Sequence, residues 1–341
     1  MNKKLLLKTL KYIASISLAI GITYLLFKNQ DPVQLVKEIQ KVNGSWIFLS
    51  MVFGAWAYVN RGLRWLILID TLGYTSTKLN SIASVSVGYF TNLLIPRAGE
   101  ISRCTSLNQV EKIPVDKLFG TILIERVIDF IALICLFLIT ILLKYNEIFN
   151  FYKTLTSQEG DPQSDTNYLP VVIAIVFLIV LFLIGEKWFR NSTIYNKTKE
   201  FINGLKEGFK SVSNMKNKKG FWFHTFSIWI MYFLMTYVCF FSMEETSALN
   251  ASDGLFLLVL GGIGMVIPTP GGIGSYHAIV MIGLSVLGVG TIYLGEGGDT
   301  SNPALLFPTI VHVAQTLVAI IMGSIGLLIL FIAKKKTDVA S

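Results

Sequence analysis

Two apolar stretches of this sequence are broken in the same way, and those breaks constrain the fold more than any other feature. Residues 93–103 read LLIPRAGEISR and residues 265–275 read MVIPTPGGIGS. Both carry an Ile-Pro pair, a Gly three residues after the Pro, and an Ile two further on. Pro96 therefore aligns with Pro268, Gly99 with Gly271 and Ile101 with Ile273. Six unbroken apolar runs surround them, at about 10–27, 45–69, 118–143, 169–186, 220–242 and 304–333. Roughly 20 apolar residues cross a bilayer as a helix. Apolar helices interrupted at matching places in two halves point to a transporter-like binding site.

Composition agrees. Hydrophobic residues make up 53% of the 341 residues and charged ones 15%, against about a quarter charged in a soluble domain. The expected class is an integral membrane protein with one membrane domain over residues 1–341. The net charge of +8 does not signal nucleic acid. Its basic residues lie in loops between apolar runs, where they set topology and meet lipid headgroups. Cys104, Cys135 and Cys239 are far apart and form no CxxC, so neither a disulfide framework nor a metal cluster is expected. No cofactor is implied. The N-terminal run ends in YLLFKNQ without a small-residue cleavage site, which reads as a retained first helix rather than a cleaved signal.

Charge then orients the runs. Lys3, Lys4, Lys8 and Lys11 precede the first, nine Lys or Arg lie in 187–219, and Lys334, Lys335 and Lys336 follow the last. By the positive-inside rule these segments, and both termini, are cytoplasmic. Acidic residues mark the other side at 144–168, 243–253 and 290–303. The broken apolar regions are about 79–96 and 254–289, and this works only if 79–117 enters and leaves on the inside and 254–289 on the outside. One half is then 45–69, inner dip, 118–143. The other is 220–242, outer dip, 304–333. Segment 169–219 links the halves. The order repeats and the orientation inverts. The expected fold is an all-α polytopic membrane helix bundle with two broken, re-entrant segments and an inverted-topology repeat. The rival reading makes each broken region a helical hairpin or an extra span. Segment 187–219 carries Phe201, Ile202, Leu205, Phe209 and Val212 at helical spacing, as in an amphipathic helix on the inner leaflet or one packed under the bundle.

Charges inside spans mark functional sites by default. Arg61 and Arg64 share a face of one run. Glu125, Arg126 and Asp129 lie on another at a similar distance, roughly 8–16 Å, from the cytoplasmic ends. The inner dip adds Arg97, Glu100 and Arg103. Five arginines against three acids leave two positive charges over, which suits an anionic headgroup, because a guanidinium grips phosphate bidentately. The alternative is an ion-pair network that only fixes helix packing. In the outer dip, Pro268, Gly271, Gly272 and Gly274 precede a new helix start. Its free N–H groups suit phosphate or carboxylate, unless the glycines serve only close helix approach. His277 and His312 either titrate as a pair or pack.

The segments RGLRW around Arg61 and Arg64, NLLIPRAGEISR from Asn92, ERVID from Glu125 and PTPGGIG from Pro268 together resemble the lysylphosphatidylglycerol synthase transmembrane-region family. The resemblance runs through most of the chain. It departs from the family pattern at Tyr276-His277, where an acidic residue is common, and near His312, where a basic one is common. It implies a flippase-like fold moving lipids between leaflets of the bacterial inner membrane. Phospholipids or polyprenyl-phosphate lipids would be the ligands, with a lipid-modifying synthase and a second copy as candidate partners. The aminoacyl-transferase domain of larger members is not seen before the terminal AKKKTDVAS, so lipid aminoacylation is not expected. Two other classes compete. One is a membrane transferase using Glu100, Glu125 or Asp129 as acid or base. The other is a non-transporting lipid-binding partner docked through 187–219.

Overall fold

The computed structural model describes residues 3–156, 215–292 and 302–340. Among these it is all helix and turn. In order they are α1 (Lys3–Phe27), α2 (Pro32–Lys41), α3 (Gly44–Thr71), α4 (Lys78–Leu94), α5 (Gly99–Glu111), α6 (Val115–Leu143) and α7 (Tyr145–Thr156). After the linking region come α8 (Lys218–Tyr237), α9 (Glu244–Ser247), α10 (Ala251–Val266), α11 (Ser275–Val286) and α12 (Pro303–Ala340). The expected run at 169–186 and most of the basic segment 187–219 lie outside the described residues.

Among the described residues three helices are long and apolar enough to cross a bilayer: Val115–Leu143, Lys218–Ser242 and Pro303–Lys336. A fourth apolar segment is split by an 84° bend between Tyr12–Phe27 and Pro32–Lys41. Helix α3 is comparably long at 28 residues, but Arg61, Arg64 and Asp70 occupy its C-terminal half.

The ends of these helices are written locally. Asp31 caps Val33 N–H, with Pro32 at the first helical position, and so starts α2 where α1 stops. Asn43, Thr77 and Asn217 cap α3, α4 and α8. Asn250 and Asp253 form a reciprocal capping box at α10.

Each broken region is a helical hairpin. Helices α4 and α5 pack together, as do α10 and α11. The first pair is close because Gly88 and Gly99 face each other: a Cβ on Gly99 would stand 2.3 Å from Gly88 O. The two tips differ. The first is the short turn 95–98, whereas the second spans 267–274 and contains a 3₁₀ turn at Pro270–Gly272. The aligned glycines therefore do different jobs. Gly99 is helical and its N–H donates to Asn92 Oδ1 (2.7 Å). Gly271 is needed for its φ of +57°, followed by Gly272 and Gly274 at +80°.

Two apolar cores form, one at each end of the bundle. One gathers Trp65 and Leu68 of α3, Val85 of α4, Leu107 of α5, Ile122 of α6 and Phe221 of α8 around the first hairpin. The other gathers Leu26 of α1, Phe256 of α10, Leu284 of α11, and Leu305 and Phe307 of α12 around the second. Long helices run between them: α3 packs Ile47 against the second core and Trp65 into the first. The hairpins thus insert from opposite ends, and their tips meet. Gly271 lies against Leu93, and Arg97 Nη2 donates to Val266 O (3.3 Å). The two sequence stretches that match each other are the two that touch.

Polar pins hold the end that carries the second hairpin. Asn43 N–H donates to Ser242 O at 2.9 Å. Lys144 bridges Asp253 (2.5 Å) and Glu147 (3.0 Å). At the opposite end Glu111 Oε1 accepts from Ser76, Thr77 N–H and Asn80.

Candidate functional site: a buried guanidinium cluster against the first hairpin

Arg64 has no exposed surface. Its Nη1 and Nη2 donate to Asp129 Oδ1 and Oδ2 at 2.7 and 2.9 Å, a two-pronged grip. Its Nε donates to Glu125 Oε1 at 3.3 Å, and Nη1 also meets Thr225 Oγ1 at 3.4 Å. Arg61, three residues earlier and on the same face, places Nη1 3.2 Å from Asp129 Oδ2. Its Nε donates to Tyr232 Oη at 2.6 Å. Tyr89 and Tyr232 sheathe that guanidinium, with ring centroids 5.8 and 5.5 Å from Cζ. Tyr58 stacks on Tyr89 at 4.3 Å.

Arg103 comes in from the first hairpin. Its Cζ lies 3.8 Å over the Trp65 ring, and Trp65 Nε1 is anchored on Thr121 (2.7 Å). Its Nη1 stands 2.8 Å from Glu125 Oε2, an ion pair without hydrogen-bond alignment, since that oxygen has no hydrogen bond. The Nε and Nη2 atoms of Arg103 are buried and have no hydrogen-bond partner among the described residues. A buried donor left unmade costs about 1–3 kcal/mol.

The structure rearranges the expected site. Arg61, Arg64, Arg103, Glu125 and Asp129 do come together. Arg126 and Glu100 pair at 2.6 Å beside them, with side chains 52% and 24% exposed, a contact worth little. Arg97 is elsewhere, exposed at the meeting point of the two tips. It has φ of 62°, a left-handed conformation that costs a non-glycine residue about 1–3 kcal/mol. The excess of two positive charges read from sequence is therefore corrected. Among the described residues the buried cluster holds three guanidiniums against two carboxylates, an excess of one, and Arg103 carries it.

At the second tip, His312 Nε2 donates to Gly271 O (2.9 Å), which fixes its tautomer. The His277 ring centroid is 4.8 Å from that of His312, and His277 Nδ1 is buried and unpartnered. Pro268 O accepts from Ser15 Oγ. Gly274 is the cap residue before α11 and makes no side-chain cap. Among the described residues no group of three or more His, Cys, Asp or Glu gathers as a metal site.

Sequence reasoning missed the aromatic sheath, Trp65 under Arg103, Thr225, and His224, whose Nδ1 meets Asn60 Oδ1 at 2.8 Å. None has a local signature, because each partner lies on another helix.

A helical membrane protein whose two hairpins meet tip to tip beside a buried cationic cluster is the class these features define. The chain belongs to the lysylphosphatidylglycerol synthase transmembrane-region family, whose profile matches residues 12–323. A UPF0104 membrane protein of Methanocaldococcus jannaschii is 22% identical over 292 residues, covering 75% of this chain and 79% of that protein. No solved structure gives a significant match.

Proposed function

We propose that the protein is a lipid translocator that admits an anionic or zwitterionic lipid headgroup, a phospholipid or a polyprenyl-phosphate lipid, to the Arg103 end of the buried cluster. One observation carries the reading: a buried guanidinium with two unmade donors in a cluster one positive charge in excess. A phosphate oxygen would satisfy both donors and the charge together, whereas a network serving only packing tends towards balance. The carboxylates Glu125 and Asp129 are occupied by arginines, so they position cations and are poor acid–base groups. Movement of lipid, rather than its chemical modification, fits that occupancy. The basic segments at both ends support cytoplasmic termini in a bacterial inner membrane. The hairpins, inserted from opposite ends, would rock against the long helices to open one side at a time.

The test is leaflet exchange of a fluorescent phospholipid in vesicles containing the purified protein. Arg103→Gln should slow exchange about ten- to a hundredfold, the loss of one charge-assisted hydrogen bond. Lys41→Gln, which removes a cation from the exposed Lys41–Glu38 pair, should not change it. A native rate in a correctly folded Arg103→Gln protein contradicts the reading.

A further inference from the structure

The N-terminal helix is strapped across both hairpin tips. Tyr12 Oη donates to Leu94 O (3.4 Å), at the end of α4. Ser15 Oγ donates to Pro268 O, in the second tip. Further along, Gly274 sits close enough that a Cβ would stand 3.1 Å from Ala19 O. Between strap and tip runs a groove of about 410 Å³, lined by Ile16, Ala19, Ile20 and Thr23 of α1 and by Pro270 and Ile273 of the tip. It is apolar apart from Tyr24, which also lines it, and Thr23, whose Oγ1 is buried and has no hydrogen-bond partner among the described residues. Arg97 reaches the end of α10, where this tip begins. Its guanidinium has one hydrogen bond among the described residues, to the carbonyl of Val266, two residues from the Pro268 carbonyl that holds Ser15.

A cation here is out of place unless something anionic meets it. The tips meet between the two cores, far from either end of the bundle, where an exposed charge facing lipid is costly. Leu94, Ile95, Met265 and Val266 around it are all at least half exposed and apolar. The left-handed backbone of Arg97 adds strain that a glycine would not have. The guanidinium is kept at a position that both its surroundings and its backbone disfavour.

We propose that α1 and the second tip form a seat for one phospholipid, with a hydrocarbon chain in the groove and the phosphate on Arg97. The occupant is a lipid because the groove is lined mainly by apolar side chains of a membrane helix, and a phospholipid because the cation at the same tip needs a phosphate. The seat lies outside the buried cluster and is a claim about binding, so it stands or falls separately from transport.

The test uses the full chain in vesicles doped with a phosphatidylcholine carrying a photoreactive diazirine near the chain end, and a diacylglycerol with the same chain. Cross-linked residues are mapped by mass spectrometry. Phosphatidylcholine should label residues 16–24 and 270–273 far more strongly than Leu138 and Leu142 on the exposed face of α6. Ala19→Trp should block that labelling. Arg97→Gly, which relieves the backbone, should reduce phosphatidylcholine labelling roughly tenfold, as expected for one charge-assisted contact, and leave diacylglycerol labelling unchanged. Labelling no stronger than on α6 overturns the seat. So does an Arg97→Gly protein that labels as the parent does, or that loses both probes equally.

Discussion

At the scale of the residue, Arg64 and Arg103 are both buried arginines touching Glu125, yet their surroundings give them different tasks. Arg64 has its guanidinium shared among Asp129, Glu125 and Thr225. Removing it takes away the two-pronged grip on Asp129 and leaves Asp129 with Arg61 alone and Glu125 with Arg103 alone, and breaking a buried pair from one side costs up to about 3–5 kcal/mol. Arg64→Ala should therefore lower the melting temperature in detergent sharply, with Arg64→Lys intermediate because a point charge replaces a planar fork. An unchanged melting curve for Arg64→Ala would show that the carboxylates find other partners. Loss of exchange in that variant reports on folding first, which is why Arg103, with donors to spare, is the better probe of ligand binding. The charged members of this cluster were legible in the sequence because charge inside an apolar run is conspicuous. The aromatic sheath was not: Tyr89 and Tyr232 are ordinary residues for membrane helices, and only the crossing of α3, α4 and α8 gives them a cation to surround.

At the scale of the element, the hairpins depend on bare backbone at the contact. A Cβ on Gly88 would lie 2.9 Å from Gly99 O and 3.2 Å from Arg103 Cβ. Gly88→Val should push α5 away, destabilise by about 1–3 kcal/mol and shift Arg103. Gly120, on an open face of α6 with nothing near it, is the control. Gly120→Ala should be neutral or stabilising by up to about 1 kcal/mol. Equal melting temperatures for the two variants would remove the close-approach argument. The pin at Lys144 behaves differently. Burial alone would lower the pKa of Lys144, but hydrogen bonds to Asp253 and Glu147 outweigh it and hold it above the ordinary lysine value. Its contribution is complete below that ordinary value and fades only as pH rises through the raised one, so this joint does not respond near neutral pH. Helix α2 was illegible as an apolar run because it is short and half polar. Its signal was Asp31-Pro32 with apolar residues at Val33, Val36 and Ile39, a cap followed by helical spacing. The tips were half legible. The Ile-Pro and Gly match located both, but a gapless alignment hid the four extra residues of the second turn.

At the scale of the whole molecule, the repeated order of long helix, hairpin, long helix was read from apolar length and charge asymmetry. The contact between tips lay beyond such reading, since segments about 170 residues apart in sequence leave no pairwise trace in one chain. The architecture makes a specific claim about the membrane: the hairpins enter from opposite faces and meet inside. Single-cysteine accessibility tests it most directly, with Cys104, Cys135 and Cys239 first replaced. Thr75→Cys and Asp116→Cys flank the first hairpin, and Ser247→Cys and Thr291→Cys flank the second; all four positions are exposed. A membrane-impermeant maleimide applied to intact cells should label residues 247 and 291 and reach 75 and 116 only after the membrane is opened. Labelling of all four positions from one side would contradict the account.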